Sequence, residues 1–90
     1  MTSNTQAQSL YLAAGSGDIE QVRRLITDGA EVDLVYRYNA PLHAAAAAGQ
    51  LKIAELLIGA GADVNVRGFL GTPLHAAASR GHLAIVALLI

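Results

Sequence analysis

Apolar residues return at helical spacing in the second half of the chain. Leu51, Ala54, Leu57 and Ile58 stand at i, i+3, i+6 and i+7 and share one face. That spacing predicts a helix running to Gly59 and Gly61, where glycine supplies the left-handed geometry of a helix C-terminus. A shorter helix precedes it. Pro41 suits the first helical position, because its missing N–H has no partner there in any case, and Gly49 ends the Ala run that follows. Pro73 and Gly81 bound the same pattern further along. Between Ala62 and Thr72 the helical period is lost, which predicts extended chain turning back as a hairpin-like loop. Met1 to Ser9 is polar and uncharged and reads as a tail entering the first helix.

The pattern repeats. Pro41-Leu42-His43-Ala44-Ala45-Ala46 recurs 32 residues later as Pro73-Leu74-His75-Ala76-Ala77-Ala78. Gly49 and Gly81, Leu51 and Leu83, Ile53 and Ile85, and Leu56-Leu57-Ile58 and Leu88-Leu89-Ile90 keep the same offset. One step back lies a diverged copy in Leu10, Ala13, Ala14, Gly17, Leu25, Ile26, Gly29, Ala30 and Val32. Three helical pairs stacked side by side follow, since one such unit cannot bury its apolar face alone. Ala45-Ala46 and Ala77-Ala78 recur in register, as expected if small side chains let neighbouring helices approach closely while Leu, Ile and Val fill the layer between paired helices.

Composition narrows the function. The chain is 53% hydrophobic but only 4% aromatic, so small aliphatic residues build the core. Six Lys and Arg against seven Asp and Glu give a net charge of -1, and no overall field favours nucleic acid or an anionic membrane. The absence of Cys removes disulfides, thiolate nucleophiles and cysteine metal sites, and gives a weak preference for the cytoplasm. Leu83 to Ile90, the most apolar stretch, is far shorter than the roughly 20 residues of a membrane span.

These residues resemble the ankyrin repeat. Thr72-Pro73-Leu74-His75, Ala77-Ala78, Gly81, Leu88-Leu89 and, one repeat earlier, Gly61-Ala62-Asp63-Val64-Asn65 carry the likeness, which covers Leu10 to Ile90. The resemblance implies an all-α repeat: an ankyrin-type solenoid of helix-turn-helix units joined by hairpin loops, L-shaped in section. It also implies a concave recognition surface formed by the hairpin tips and the short first helices. The expected divisions are repeat 1 at about 8–40, a degenerate N-terminal cap with Ser9 and Tyr11 in place of the Pro and His; repeat 2 at about 41–72; and repeat 3 at about 73–90, cut short. The hairpin segments are one residue shorter than the family period of about 33. Asn39 and Gly71 align and are expected to take the left-handed position of the turn. Ala40 stands where the family has Thr, so Thr72 is expected to cap its helix with its hydroxyl and Ala40 is not.

The residues offer little chemistry. His43 and His75 recur on one face, but repeats stack roughly 10 Å apart, whereas a shared zinc would hold each nitrogen within about 2.1 Å. The two rings are therefore expected to tie loop to helix, and His82 to be exposed. Gly59-Ala60-Gly61 follows a helix and not a strand, which removes a nucleotide-loop reading, and Asp33 and Asp63 read as turn supports. No catalytic constellation, cofactor site or metal site is expected, so the chain is not expected to be an enzyme.

Rings and arginines gather on the tips instead. Tyr36, Arg37, Tyr38, Arg67, Phe69 and Leu70 are the types that protein-binding hot spots favour. The family's variable positions add Ser79 and Arg80. The expected function is a protein-interaction module, a scaffold that binds a partner protein through these residues. The alternative is a structural repeat segment of a longer protein. The chain stops inside an apolar helix with no charged outer face, so self-association through that uncapped end is expected.

Overall fold

The computed structural model describes residues 3–69 and 71–90. Six helices follow in order: α1 (Ser3–Ser16), α2 (Ile19–Thr27), α3 (Pro41–Ala48), α4 (Leu51–Gly59), α5 (Pro73–Ser79) and α6 (Leu83–Leu89). They form three antiparallel pairs. The inner helices α1, α3 and α5 stack in one layer and the outer helices α2, α4 and α6 in a second.

Alanine lets the inner layer close up. Ala13, Ala14, Ala45, Ala46 and Ala77 are all buried, and Gly15 lies beside the Ala44 methyl. Leu10, Val22, Leu42, Ile53 and Leu57 fill the space between the layers. Ala78 breaks the pattern, because it is exposed where its counterpart Ala46 is fully covered by the next repeat.

Helix starts and stops follow proline and glycine, with two corrections. Helix α1 extends back to Ser3 and takes in residues expected to be a tail, burying Ala7 and Leu10 one turn apart. The second correction concerns capping. The Thr72 hydroxyl does not accept a backbone N–H; it lies 2.9 Å from Nδ1 of His75. Nδ1 already accepts the Thr72 N–H at 3.1 Å, so the hydroxyl donates to the ring. In the second repeat Nδ1 of His43 accepts the Ala40 N–H at 3.1 Å. Histidine three residues into each helix therefore takes the part that Glu or Gln plays in a capping box.

Ala40 is consequently not an uncapped start. Its side chain has 0% exposure, so a larger residue there would crowd the core. Ala40→Thr is expected to lower stability by about 1 kcal/mol instead of raising it. A urea melt showing a higher midpoint for this variant would contradict that expectation.

Repeats are also tied to one another by polar bonds. Both Asp33 carboxylate oxygens accept the Asp63 N–H, at 3.0 and 3.1 Å, and Asp63 in turn accepts the Asn65 N–H. Both aspartates thus support turns. His82 is half-buried, not exposed, and its Nε2 lies 3.1 Å from the Ala47 carbonyl, where it donates. No described helix is long and apolar enough to cross a membrane.

Candidate functional site

Two hairpins project beside the inner helices. In the first, Tyr36 and Asn39 exchange backbone bonds of 2.9 and 3.2 Å around Arg37 and Tyr38. Both central residues have positive φ, 52° and 75°, the signature of a two-residue hairpin turn matched to strand twist. The left-handed residues are therefore Arg37 and Tyr38, not Asn39 as the alignment suggests. In the second hairpin Gly68 pairs with Gly71, whose φ is +114°.

Asn39 joins the tips. Its Oδ1 accepts the Phe69 N–H at 3.1 Å, which holds one hairpin against the next. A side chain at Gly68 would run into this amide and into His43 Nε2, so glycine is required there by space alone. Nε2 of His43 meets the Gly71 carbonyl at 2.9 Å. Because Nδ1 of the same ring faces an N–H, the ring proton sits on Nε2 and is donated to that carbonyl.

The aromatic residues fall into two pairs. Tyr11 and Tyr36 meet with ring centroids 5.5 Å apart, and the Arg37 guanidinium lies 5.4 Å from the Tyr36 centroid. Tyr36 is thereby partly a packing element. Tyr38 and Phe69 meet at 6.1 Å yet stay 74% and 73% exposed. Arg67 is exposed, and Leu70 lies outside the described residues.

Between tips and inner helices lies a concave pocket of about 480 Å³. Phe69, Ser79 and Arg80 line it, together with residues the hot-spot argument missed: Tyr11, His43, Ala47, His75 and Ala76 among them. A second hollow of about 360 Å³ shares Tyr11, Ala47 and Arg80 with it. The repeat register could have found them. Tyr11, His43 and His75 are spaced by 32 residues, as are Gly15, Ala47 and Ser79, so each set forms one column on the concave face. The Ser79 hydroxyl donates to the Ala76 carbonyl at 3.1 Å within its own helix.

Arg37 and Tyr38 carry strain that glycine would relieve. Each left-handed non-glycine residue costs roughly 1–2 kcal/mol, and residues held so against preference concentrate at binding sites. The double variant R37N/Y38G is expected to gain about 1 kcal/mol after loss of the ring contacts. A thermal melt in which it is less stable than the parent would show that Arg37 and Tyr38 contribute more through contacts than they cost in strain.

A family model described as ankyrin repeats (many copies) matches residues 10–58 and again 42–90. No curated protein matches the chain.

Proposed function

This chain belongs to the ankyrin-repeat family, and from that premise we propose that it holds a partner protein on its concave face and hairpin tips. Repeats of this family are generally protein–protein interaction modules and typically not catalytic. The observation that carries the reading is the exposed Tyr38–Phe69 pair, whose Phe69 lines the pocket together with Ser79 and Arg80. Rigid exposed rings beside an arginine are the usual anchors of an interface. Arg37 and Arg67 extend this surface along the tips, and Tyr36 supports it through its contacts with Tyr11 and Arg37. No catalytic role and no cofactor is proposed, and the absence of Cys suits the cytoplasm.

The test is comparative capture. Wild-type chain, a Y38A/F69A/R80A variant and a K52A/E55A variant on the outer helices would be offered the same cell extract. The proposal expects a protein retained by the wild type and the outer variant and lost by the first variant, with all three melting cooperatively. Equal retention by all three would overturn it.

A second reading has its own observation. Ala46 is fully buried and packs in one cluster with Ala77 and Ile85 of the third repeat, whereas Ala78 is exposed, and Leu83 and Ile90 are 76% and 90% exposed. On this reading the chain is a structural segment whose open face stacks on another repeat, and in isolation that face meets a second copy. Sedimentation of the 90-residue chain is then expected to show concentration-dependent dimers. A monodisperse monomer would count against this reading and leave the first intact.

A further inference from the structure

A net charge of -1 conceals a division of charge between the two layers. Helix α1 contains no charged residue. Residues 34–48 and 66–81, which build the hairpin tips, α3 and α5, contain Arg37, Arg67 and Arg80 and no Asp or Glu. All seven carboxylates lie at 18–33, 55 and 63: Asp18 at the N-cap of α2, the others on the outer helices or on the connections leading from them into the hairpins. Asp33 and Asp63 are further engaged by backbone N–H groups. The face proposed for docking is therefore cationic in a chain that is slightly anionic overall.

Arg80 occupies the decisive place on that face. It is exposed and lies where the two hollows meet, and no carboxylate lines either of them. Apolar walls from Tyr11, Ala47, Phe69 and Ala76 surround it in the larger one. Arg37 rests on the Tyr36 ring and is held on the tip, and a guanidinium stacked in this way still presents N–H groups at its edge. Planar, always charged guanidinium groups pair with carboxylates through two parallel bonds.

We propose that the occupant of the concave face is an acidic segment of a partner protein. One apolar or aromatic side chain seats against Tyr11, Ala47, Phe69 and Ala76, a neighbouring carboxylate pairs with Arg80, and further acidic residues meet Arg37 and Arg67. This rests on the docking reading above and names the chemistry of the partner. Complementary charge of this kind steers encounter and selects among partners. Nucleic acid fits less well. Salt-dependent phosphate binding draws on about 6–10 cationic contacts, and this face has three arginines beside an apolar hollow.

Fluorescence anisotropy with defined probes tests the proposal. The probes are a labelled synthetic peptide alternating Asp and Glu with Leu and Phe, the same peptide with every acid changed to its amide, and a single-stranded oligonucleotide of matched charge. The acidic peptide is expected to bind about ten-fold more tightly than the amide peptide at low salt, with the difference shrinking as salt rises. R80Q is expected to remove most of that difference, whereas R24Q on α2 leaves it unchanged. Both variants should melt like the wild type. An acidic peptide that binds no better than the amide peptide, including no binding by either, overturns the proposal. So does tighter binding of the oligonucleotide, or an equal loss in R24Q. If the amide peptide binds as well as the acidic one and F69A abolishes both, the acidic preference fails while the docking face stands.

Discussion

His43→Ala is expected to destabilise the domain by about 3 kcal/mol, whereas His75→Ala costs less than about 1 kcal/mol. The two histidines stand at the same place in their helices, and each accepts the N–H of the residue that precedes its proline. Burial separates them. The Ala40 N–H lies in a bond between buried groups, so removing the ring leaves it with no partner and no water. The Gly71 carbonyl loses its donor from Nε2 in the same step, which uncouples the second hairpin from the helix of the repeat before it. Around His75 the corresponding bond is exposed, and solvent replaces the ring. Urea melts of both variants would check the difference. Equal losses would mean that the local helix start, and not the bond between repeats, is what His43 contributes.

Gly49→Ala is expected to cost about 2–4 kcal/mol, of which only part comes from backbone strain. Gly49 has φ +76°, and the left-handed region disfavours alanine by roughly 1–2 kcal/mol. The remainder arises from the neighbouring repeat. A Cβ at Gly49 would stand 2.8 Å from two atoms of the His82 ring, which is held by its bond to the Ala47 carbonyl and cannot retreat without breaking it. Gly81 supplies the control. Its φ is +74°, and nothing lies within 4 Å of where its Cβ would be, so Gly81→Ala should show the backbone cost alone. Thermal or denaturant melts that place both variants at the same midpoint would show that the His82 contact carries no energy.

Much of this architecture is legible in the sequence because it is written in local signals. Pro41 and Pro73 start helices, Gly49 and Gly81 leave them in left-handed geometry, and Ala54 and Leu57 face the core as the apolar spacing requires, although Leu51 at the start of that face is exposed and Ile53 beside it is buried. Interactions spanning a repeat are not written that way. The ring of His43 reaches a carbonyl 28 residues away, and the amide of Asn39 reaches a backbone N–H 30 residues away; neither leaves a local mark. The turn at Arg37 and Tyr38 lacks the glycine that normally announces left-handed residues, so alignment pointed to Asn39 instead. Helix α1 was hidden at its start by a polar run, in which Ala7 is buried one turn before Leu10. The cationic face was hidden by summation, since net charge discards which layer each residue occupies.

Photocrosslinking from defined positions tests the docking surface most directly. A benzophenone amino acid placed at Phe69, over the concave pocket, is compared with the same group at Lys52 in the hollow between α2 and α4. Both variants would be expressed in cells and irradiated. The account predicts a discrete adduct with a second protein from position 69 that weakens when Arg80 is changed to Gln, and none from position 52. Adducts from position 52 alone, or equally from both, would contradict it and move the partner to the outer helices.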